Sequence, residues 1–407
     1  MNQDVKQQVR SVMLSHFVAS MAVLGMPPFF GILLSEEFAS TQLHLIGWLY
    51  VLPTVFSALA APWWGRFADR YGARHSLIRA QLGLALGFLL ASQADSVGGF
   101  ALALAIQGLL GGTFAASNIW LARELEGRRL TQALTAMQAS ARAALVVAPI
   151  LFGALIGAVS PLNLYAWLAL LPLAAAVLMA TLPARRATHK RANTRNATEG
   201  SSQHKTQDTV ESVSPWLLLW LQFGFSFACV VTYPYFIPDL QVRFTGLSTV
   251  TLAALFSLPH LVYLALSAPL GKVLTRHCPR RTLLLAFAVM AIACGAQYGL
   301  TGNHWLSQLG MFLARLAMGL AMTAAFIALH QLMSGARRTQ VGRMFGRLDA
   351  AAKWAGVSAG LCAGVLASAF GLASPFLAAT GVLTALCLSL SPRLTALLPS
   401  SSQRTRT

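Results

Sequence analysis

The sequence predicts an all-α membrane protein of twelve transmembrane helices in two pseudo-symmetric six-helix bundles. Three observations predict it: the number and length of the apolar runs, the one-sided placement of Lys and Arg, and a repeat relating the two halves of the chain. The 407 residues are 56% apolar and only 10% charged, against roughly 25% charged in soluble domains. The net charge is +18, but the basic residues form no stripe interleaved with aromatics, so no nucleic-acid partner is expected. The five cysteines are scattered, without CxxC or metal-ligand spacing. No metal and no other cofactor is expected.

A helix needs about 17–25 predominantly apolar residues to cross the hydrocarbon core. Twelve runs qualify as spans 1 to 12: 11–34, 43–64, 76–94, 98–121, 132–158, 163–182, 215–238, 248–270, 282–300, 305–333, 342–369 and 375–391. They are too long and too uniformly apolar to be barrel strands. Span 1 ends in Pro27-Pro28-Phe29-Phe30 without a small-residue cleavage site, so it reads as a true span and not a signal peptide. A polar stretch, 183–214, separates the first six spans from the last six. It reads as a flexible linker between a domain at 1–182 and a domain at 215–407.

The charges set the expected orientation. With the amino terminus inside the cell, 26 of the 30 Lys and Arg residues fall on the cytoplasmic side and only Arg243 falls outside. The other three, Arg142, Arg315 and Lys353, lie within spans. This asymmetry predicts that both termini are cytoplasmic.

The halves repeat. Gly65-Arg66-Phe67-Ala68-Asp69-Arg70 after span 2 corresponds to Gly271-Lys272-Val273-Leu274-Thr275-Arg276 after span 8, 206 residues later. Arg74 and Leu77 then match Arg280 and Leu283. The second copy keeps its basic residues but has lost the acid. Pro27-Pro28-Phe29-Phe30 in span 1 has its counterpart in Pro234-Tyr235-Phe236-Ile237-Pro238 of span 7.

Loop 2–3 runs Gly65-Arg66-Phe67-Ala68-Asp69-Arg70-Tyr71-Gly72-Ala73-Arg74. Gly65 allows span 2 to pack closely and end, Asp69 is placed to cap a helix or pair with Arg70 or Arg74, and Gly72 permits the reversal into span 3. Span 4 carries Gln107-Gly108-Leu109-Leu110-Gly111-Gly112, and span 5 carries Ala148-Pro149 followed by Gly153 and Gly157. On these motifs the chain resembles the major facilitator superfamily of secondary transporters, and within it the drug/proton antiporter group of bacterial inner-membrane exporters. The resemblance covers all twelve spans. It implies the major facilitator fold, a monomer in the lipid bilayer of the inner membrane, protons as coupling ions, and a substrate site near the midplane between the halves. It also implies that Asp69, Arg70 and Arg74 lock the halves together on the cytoplasmic side, with Glu124 at the inner end of span 4 joining their ion pairs. Two departures stand out. The family's arginine four residues before the first span-4 glycine is Leu104 here, whereas span 10 carries Arg315 four before Gly319. The glycine expected before Pro149 is Ala148.

Arg142 in span 5 and Lys353 in span 11 occupy equivalent positions 211 residues apart. At about 1.5 Å per residue each lies roughly 15 Å deep. A charge there costs about 2.5–3.5 kcal/mol and normally faces a cavity or a partner. Two readings stand. In one, Arg142, Lys353 and Arg315, with Tyr233 and Phe236 among the lining aromatics, attract an acidic small-molecule substrate. In the other, Lys353 pairs with Asp349 and the arginines bond helix carbonyls. Proton coupling needs a group that titrates between two access states, and the candidates are Asp349, His260 and His16. No Ser-His-acid or HExxH arrangement suggests an enzyme. The expected function is proton-coupled export of a small organic molecule, with an acidic metabolite such as a carboxylate siderophore as cargo. The alternatives are a broad multidrug exporter and an importer of an organic anion.

Overall fold

The computed structural model describes residues 3–181, 214–334 and 341–391. The linker expected at 183–214 lies almost wholly outside the described residues. The described chain is helical, with one isolated bridge between Ile156 and Val159. In the first half, α1 (Gln3–Gly25) continues through a 3-10 turn at Pro27–Phe29 into α2 (Phe30–Phe38) to make span 1. Next come α3 (His44–Tyr71) and α4 (Ala73–Ser92), then α5 (Val97–Leu110) and α6 (Thr113–Glu124), which share span 4, then α7 (Gly127–Leu155) and α8 (Pro161–Thr181). In the second half, α9 (Pro215–Val230) and α10 (Tyr233–Arg243) share span 7. They are followed by α11 (Thr249–Leu274), α12 (Pro279–Gly299), α13 (Trp305–Ser334), α14 (Val341–Phe370) and α15 (Ser374–Leu390). Among the described residues, eleven spans are long and apolar enough to cross a bilayer, and α15 is an apolar helix of 17 residues.

The interruptions have sequence causes. Pro27 and Pro28 break span 1, and Pro234 sits at the start of α10, because proline cannot donate to the helical ladder. Span 4 breaks where Gly112 takes φ +86°, a left-handed conformation that glycine adopts without a Cβ clash.

Within each half the helices pack alike: α4 on α8 and α5, α1 on α7, then α12 on α13 and α15, and α9 on α14. The repeat also shows in close contacts. Gly108 of α5 lies against the backbone of Pro53 in α3, and Gly319 of α13 lies against the backbone of Pro259 in α11. Two long seams join the halves, α3 with α14 and α7 with α11, and α10 adds contacts to the Pro27–Phe29 turn, α2 and α3.

One end of the bundle carries Arg70, Arg74, Arg123, Lys272 and Arg280 and is called the basic face here. The seams close near the opposite face. There Gly153 of α7 leaves room for Ala253 and the Thr249 carbonyl of α11, and Gly47 of α3 leaves room for the Gly360 carbonyl of α14.

Several helices run past their apolar runs. Arg243, expected on the outer side, closes the last turn of α10. Asp239, four residues earlier, is therefore an in-span acid alongside Asp349; it is 2% exposed and ion-paired with Arg243. Arg243 also donates to the carbonyls of Gln297 and Leu300 at 2.9 and 2.6 Å, capping the end of α12. Arg79 lies inside α4, within the expected span 76–94.

Candidate substrate site

The three in-span cations have different surroundings. Arg142 projects from α7 at the α7–α11 seam. Its guanidinium carbon stands 4.1 Å from the ring centroid of Tyr263 in α11 and 4.4 Å from that of Phe326 in α13. The two rings meet edge to face, with centroids 5.6 Å apart at 74°. Both belong to the half opposite Arg142. Among the described residues Arg142 has no hydrogen bond and no ion pair, and it is only half-buried.

Arg315 is 1% exposed, and its donors are engaged. Nε donates to the Leu255 carbonyl at 2.9 Å and Nη2 to the Phe256 carbonyl at 2.6 Å, both in α11. Proline at 259 explains the first bond: it has no N–H to give to the carbonyl four residues earlier, which is Leu255. The guanidinium also covers the ring of Phe236, 4.2 Å from its centroid. Lys353 pairs with Asp349 at 2.7 Å, and both side chains remain more than 60% exposed.

Between the arginines stands an aromatic wall. Tyr233 packs edge-on against Phe256 and against His260, at centroid distances of 5.6 and 5.5 Å. Phe236 approaches Phe256 at 6.1 Å. His260 is 1% exposed, and neither ring nitrogen has a hydrogen-bond partner among the described residues. Arg315 adjoins this wall through Phe236, and His260 lies three residues before Tyr263, the ring under Arg142, on α11. His16 is not part of this group. It lies in α1, with Nε2 3.3 Å from the Ser20 hydroxyl and its ring 5.3 Å from that of Phe114. The pair repeats 206 residues on as Gln222 and Ser226, hydrogen-bonded at 2.9 Å.

At the basic face Asp69 pairs with neither Arg70 nor Arg74 but with Arg123 of α6, at 2.9 Å. Glu124 closes the same helix. Arg74 instead donates to the Met179 and Ala180 carbonyls at the end of α8, at 3.1 and 2.5 Å. Its repeat partner Arg280 donates to the Leu390 carbonyl at the end of α15, at 3.1 Å. These basic residues therefore cap helix ends in both halves, which explains why they outlasted the acid in the second copy. Arg70 lies over Tyr71 at 5.3 Å. Gly72 adopts φ +92°, as the reversal requires. A Cβ on Gly65 would meet nothing within 4 Å, so close packing does not explain that glycine.

The sequence reading missed two groupings. One is the pair Tyr263 and Phe326, aromatics in apolar runs that only the fold brings together over Arg142. The other is a clamp on the break in span 4. Arg79 donates to the carbonyls of Leu110 and Gly111, stacks on Trp64 at 3.6 Å, and Trp64 Nε1 donates to the Leu109 carbonyl at 2.6 Å. Trp64 thus serves the fold, holding Arg79 and the Leu109 carbonyl together. In the second half the equivalent positions hold Leu270 and Leu285, and α13 runs unbroken through Met322 and Thr323. Each half therefore uses one arginine to satisfy freed carbonyls, Arg79 at a glycine break and Arg315 at a proline.

A half-repeated helical bundle with a cation at its central seam defines a multi-pass membrane transporter. The chain belongs to the Major Facilitator Superfamily, whose model matches residues 12–263 and 245–406. Its members are transporters, not enzymes. A stretch of the chain is 32% identical over 111 residues to "Multidrug resistance protein MdtG" of Salmonella paratyphi C, and another match is 31% identical over 109 residues to MdtG of Serratia proteamaculans. These stretches span 27% of this chain and 28% and 26% of the relatives. Two solved structures share the fold nearly end to end. The human organic anion transporter MFSD10 (TETRAN) matches at TM-score 0.62 and 17% identity, over 95% of this chain and 99% of its own. The nucleoside transporter NupG matches at TM-score 0.71 and 11% identity, over 94% and 98%.

Proposed function

We propose that the protein is a proton-coupled exporter of a small organic molecule bearing a carboxylate or similar anionic group, in the bacterial inner membrane. The observation that carries the reading is Arg142, a midplane guanidinium whose donors meet no acceptor among the described residues. An intramembrane charge needs a partner, and the two in-span acids are already paired, Asp239 with Arg243 and Asp349 with Lys353. The excess of Lys and Arg at the basic face supports placing that face, and both termini, in the cytoplasm. With the seams closed at the opposite face, this conformation then receives cargo from inside. Asp69 and its loop would lock the basic face in the opposite state. His260, between the two arginines, is the proton carrier best placed to sense cargo, with Asp349 and His16 as the other candidates. A carboxylate siderophore is one cargo of this chemical class.

The aromatic wall and the MdtG likeness favour a second reading, efflux of varied lipophilic compounds. Inverted membrane vesicles separate the two. With an imposed proton gradient, citrate-type siderophores and simple organic acids should accumulate, and Arg142→Ala should abolish this at unchanged expression. Accumulation of cationic dyes but no anion would replace the first reading with the second.

A further inference from the structure

We infer that Tyr263 and Phe326 are positioning residues that make Arg142 a two-pronged receptor for a carboxylate carried on an apolar body. This rests on the anionic cargo proposed above. A guanidinium is planar, and its N–H groups point outward from the edge while its two faces are free to stack. The rings, at 4.1 and 4.4 Å, stand at 74° to each other, so the guanidinium can lie flat on only one of them and turns an N–H edge to the other. Neither contact supplies an oxygen acceptor, so the remaining N–H groups stay available. Together the rings restrict rotation of a long side chain and hold those N–H groups ready for the two oxygens of a carboxylate. His260 lies three residues before Tyr263 on α11, so the wall of Tyr233, Phe256 and His260 adjoins the receptor and suits an apolar or aromatic body. The second positive charge, Arg315, lies over Phe236, which packs against Phe256 of the same wall, and disfavours a cation there.

The repeat provides an internal comparison. The position equivalent to Arg142 is Lys353, and those equivalent to Tyr263 and Phe326 are Ser57 and Ala115. Where the rings are absent the cation is a lysine, which has no planar fork, and it pairs with a neighbouring carboxylate. Arginine and both rings occur together, as a unit would. The rings belong to the second half and Arg142 to the first, so the receptor is assembled when the halves meet at this seam and comes apart if they separate there.

Thermal unfolding of the full-length protein in detergent tests this, with benzoate, citrate and tetraphenylphosphonium as probes. Benzoate should raise the unfolding temperature of the wild type, of Tyr263→Phe and of Phe326→Tyr. Its apparent affinity should fall at least about tenfold in Arg142→Lys, Tyr263→Leu and Phe326→Leu. Phe326→Met or Tyr263→Met, whose flexible unbranched side chain fills space without a ring face, replaces the corresponding leucine variant if that does not elute as a single species. Equal benzoate affinity in the ring-less variants and the wild type would overturn the positioning role and leave the anionic reading standing. A wild type stabilised by tetraphenylphosphonium and by neither acid, or by none of the three, would overturn both.

Discussion

The hydroxyl of Tyr235 is inserted into the first turn of α3, accepting the Gly47 N–H at 3.0 Å and donating to the Leu43 carbonyl at 2.7 Å. Those two backbone groups are four residues apart and would otherwise bond each other. A side chain of one half thus completes the backbone of the other. Tyr235→Phe removes this strap but leaves Gly47 and Leu43 free to pair, so the loss falls on the seam alone. At about 0.5–1.5 kcal/mol per net hydrogen bond, the equilibrium should move roughly tenfold toward the conformation open at that face. Spin-label distances across the face, in a cysteine-free background, measure it. Distance distributions identical to the wild type would remove Tyr235 from the closure.

The clamp on span 4 predicts a stability effect. Arg79→Leu leaves the Leu110 and Gly111 carbonyls without their side-chain donors in a dry interior. Each orphaned acceptor costs about 1–3 kcal/mol. The unfolding temperature should drop by several degrees, and Arg79→Lys should recover part of the loss. Arg315→Leu should behave alike, through Leu255 and Phe256. A variant as stable as the wild type would mean that water or backbone rearrangement replaces the arginine at no cost.

Asp69 and Arg123 predict the opposite pattern. Their side chains are 80% and 39% exposed, and such pairs add little stability. Asp69→Asn should therefore unfold at nearly the wild-type temperature yet transport several-fold more slowly, if the loop gates the basic face. Exchanging the two residues (Asp69→Arg with Arg123→Asp) should restore part of the rate. Thr275→Ala should be neutral in both assays, because the Thr275 hydroxyl bonds its own helix at the Gly271 carbonyl, 2.8 Å away. Normal turnover by Asp69→Asn would assign the loop to topology alone.

The twelve spans were legible because bilayer crossing imposes a length and an apolarity that no tertiary contact overrides. The loop motif and the cation at 142 were legible for the same reason, since charge is scarce in such a chain. What was not legible is what each charge touches. Asp69 has arginines close by in sequence, and only the packing of α6 against the loop selects Arg123. Arg79 falls inside the expected span 76–94, but nothing in the sequence shows that it reaches the carbonyls at the break in span 4. Tyr263 and Phe326 carry no sequence signal, because an aromatic in an apolar span most often packs against lipid or core. Asp239 was hidden by the assumption that a span stops where apolar residues stop. Paired with Arg243, an acid costs the helix much less.

The Asp349–Lys353 pair allows the cargo's charge to be tested without touching Arg142. The pair is exposed and spaced one helical turn apart, worth about 0.3–0.5 kcal/mol, so neither member is needed for folding. Lys353→Met leaves an uncompensated carboxylate on α14 and should weaken uptake of an anionic cargo. Asp349→Asn leaves an uncompensated ammonium and should strengthen it. Neutralising both should return uptake close to the wild-type value, because the net charge of the pair is then unchanged. If Lys353 held the cargo directly, the double variant would instead be as impaired as Lys353→Met. Initial rates of organic-acid uptake into inverted vesicles, compared across the four proteins at equal expression, distinguish a background charge from a ligand.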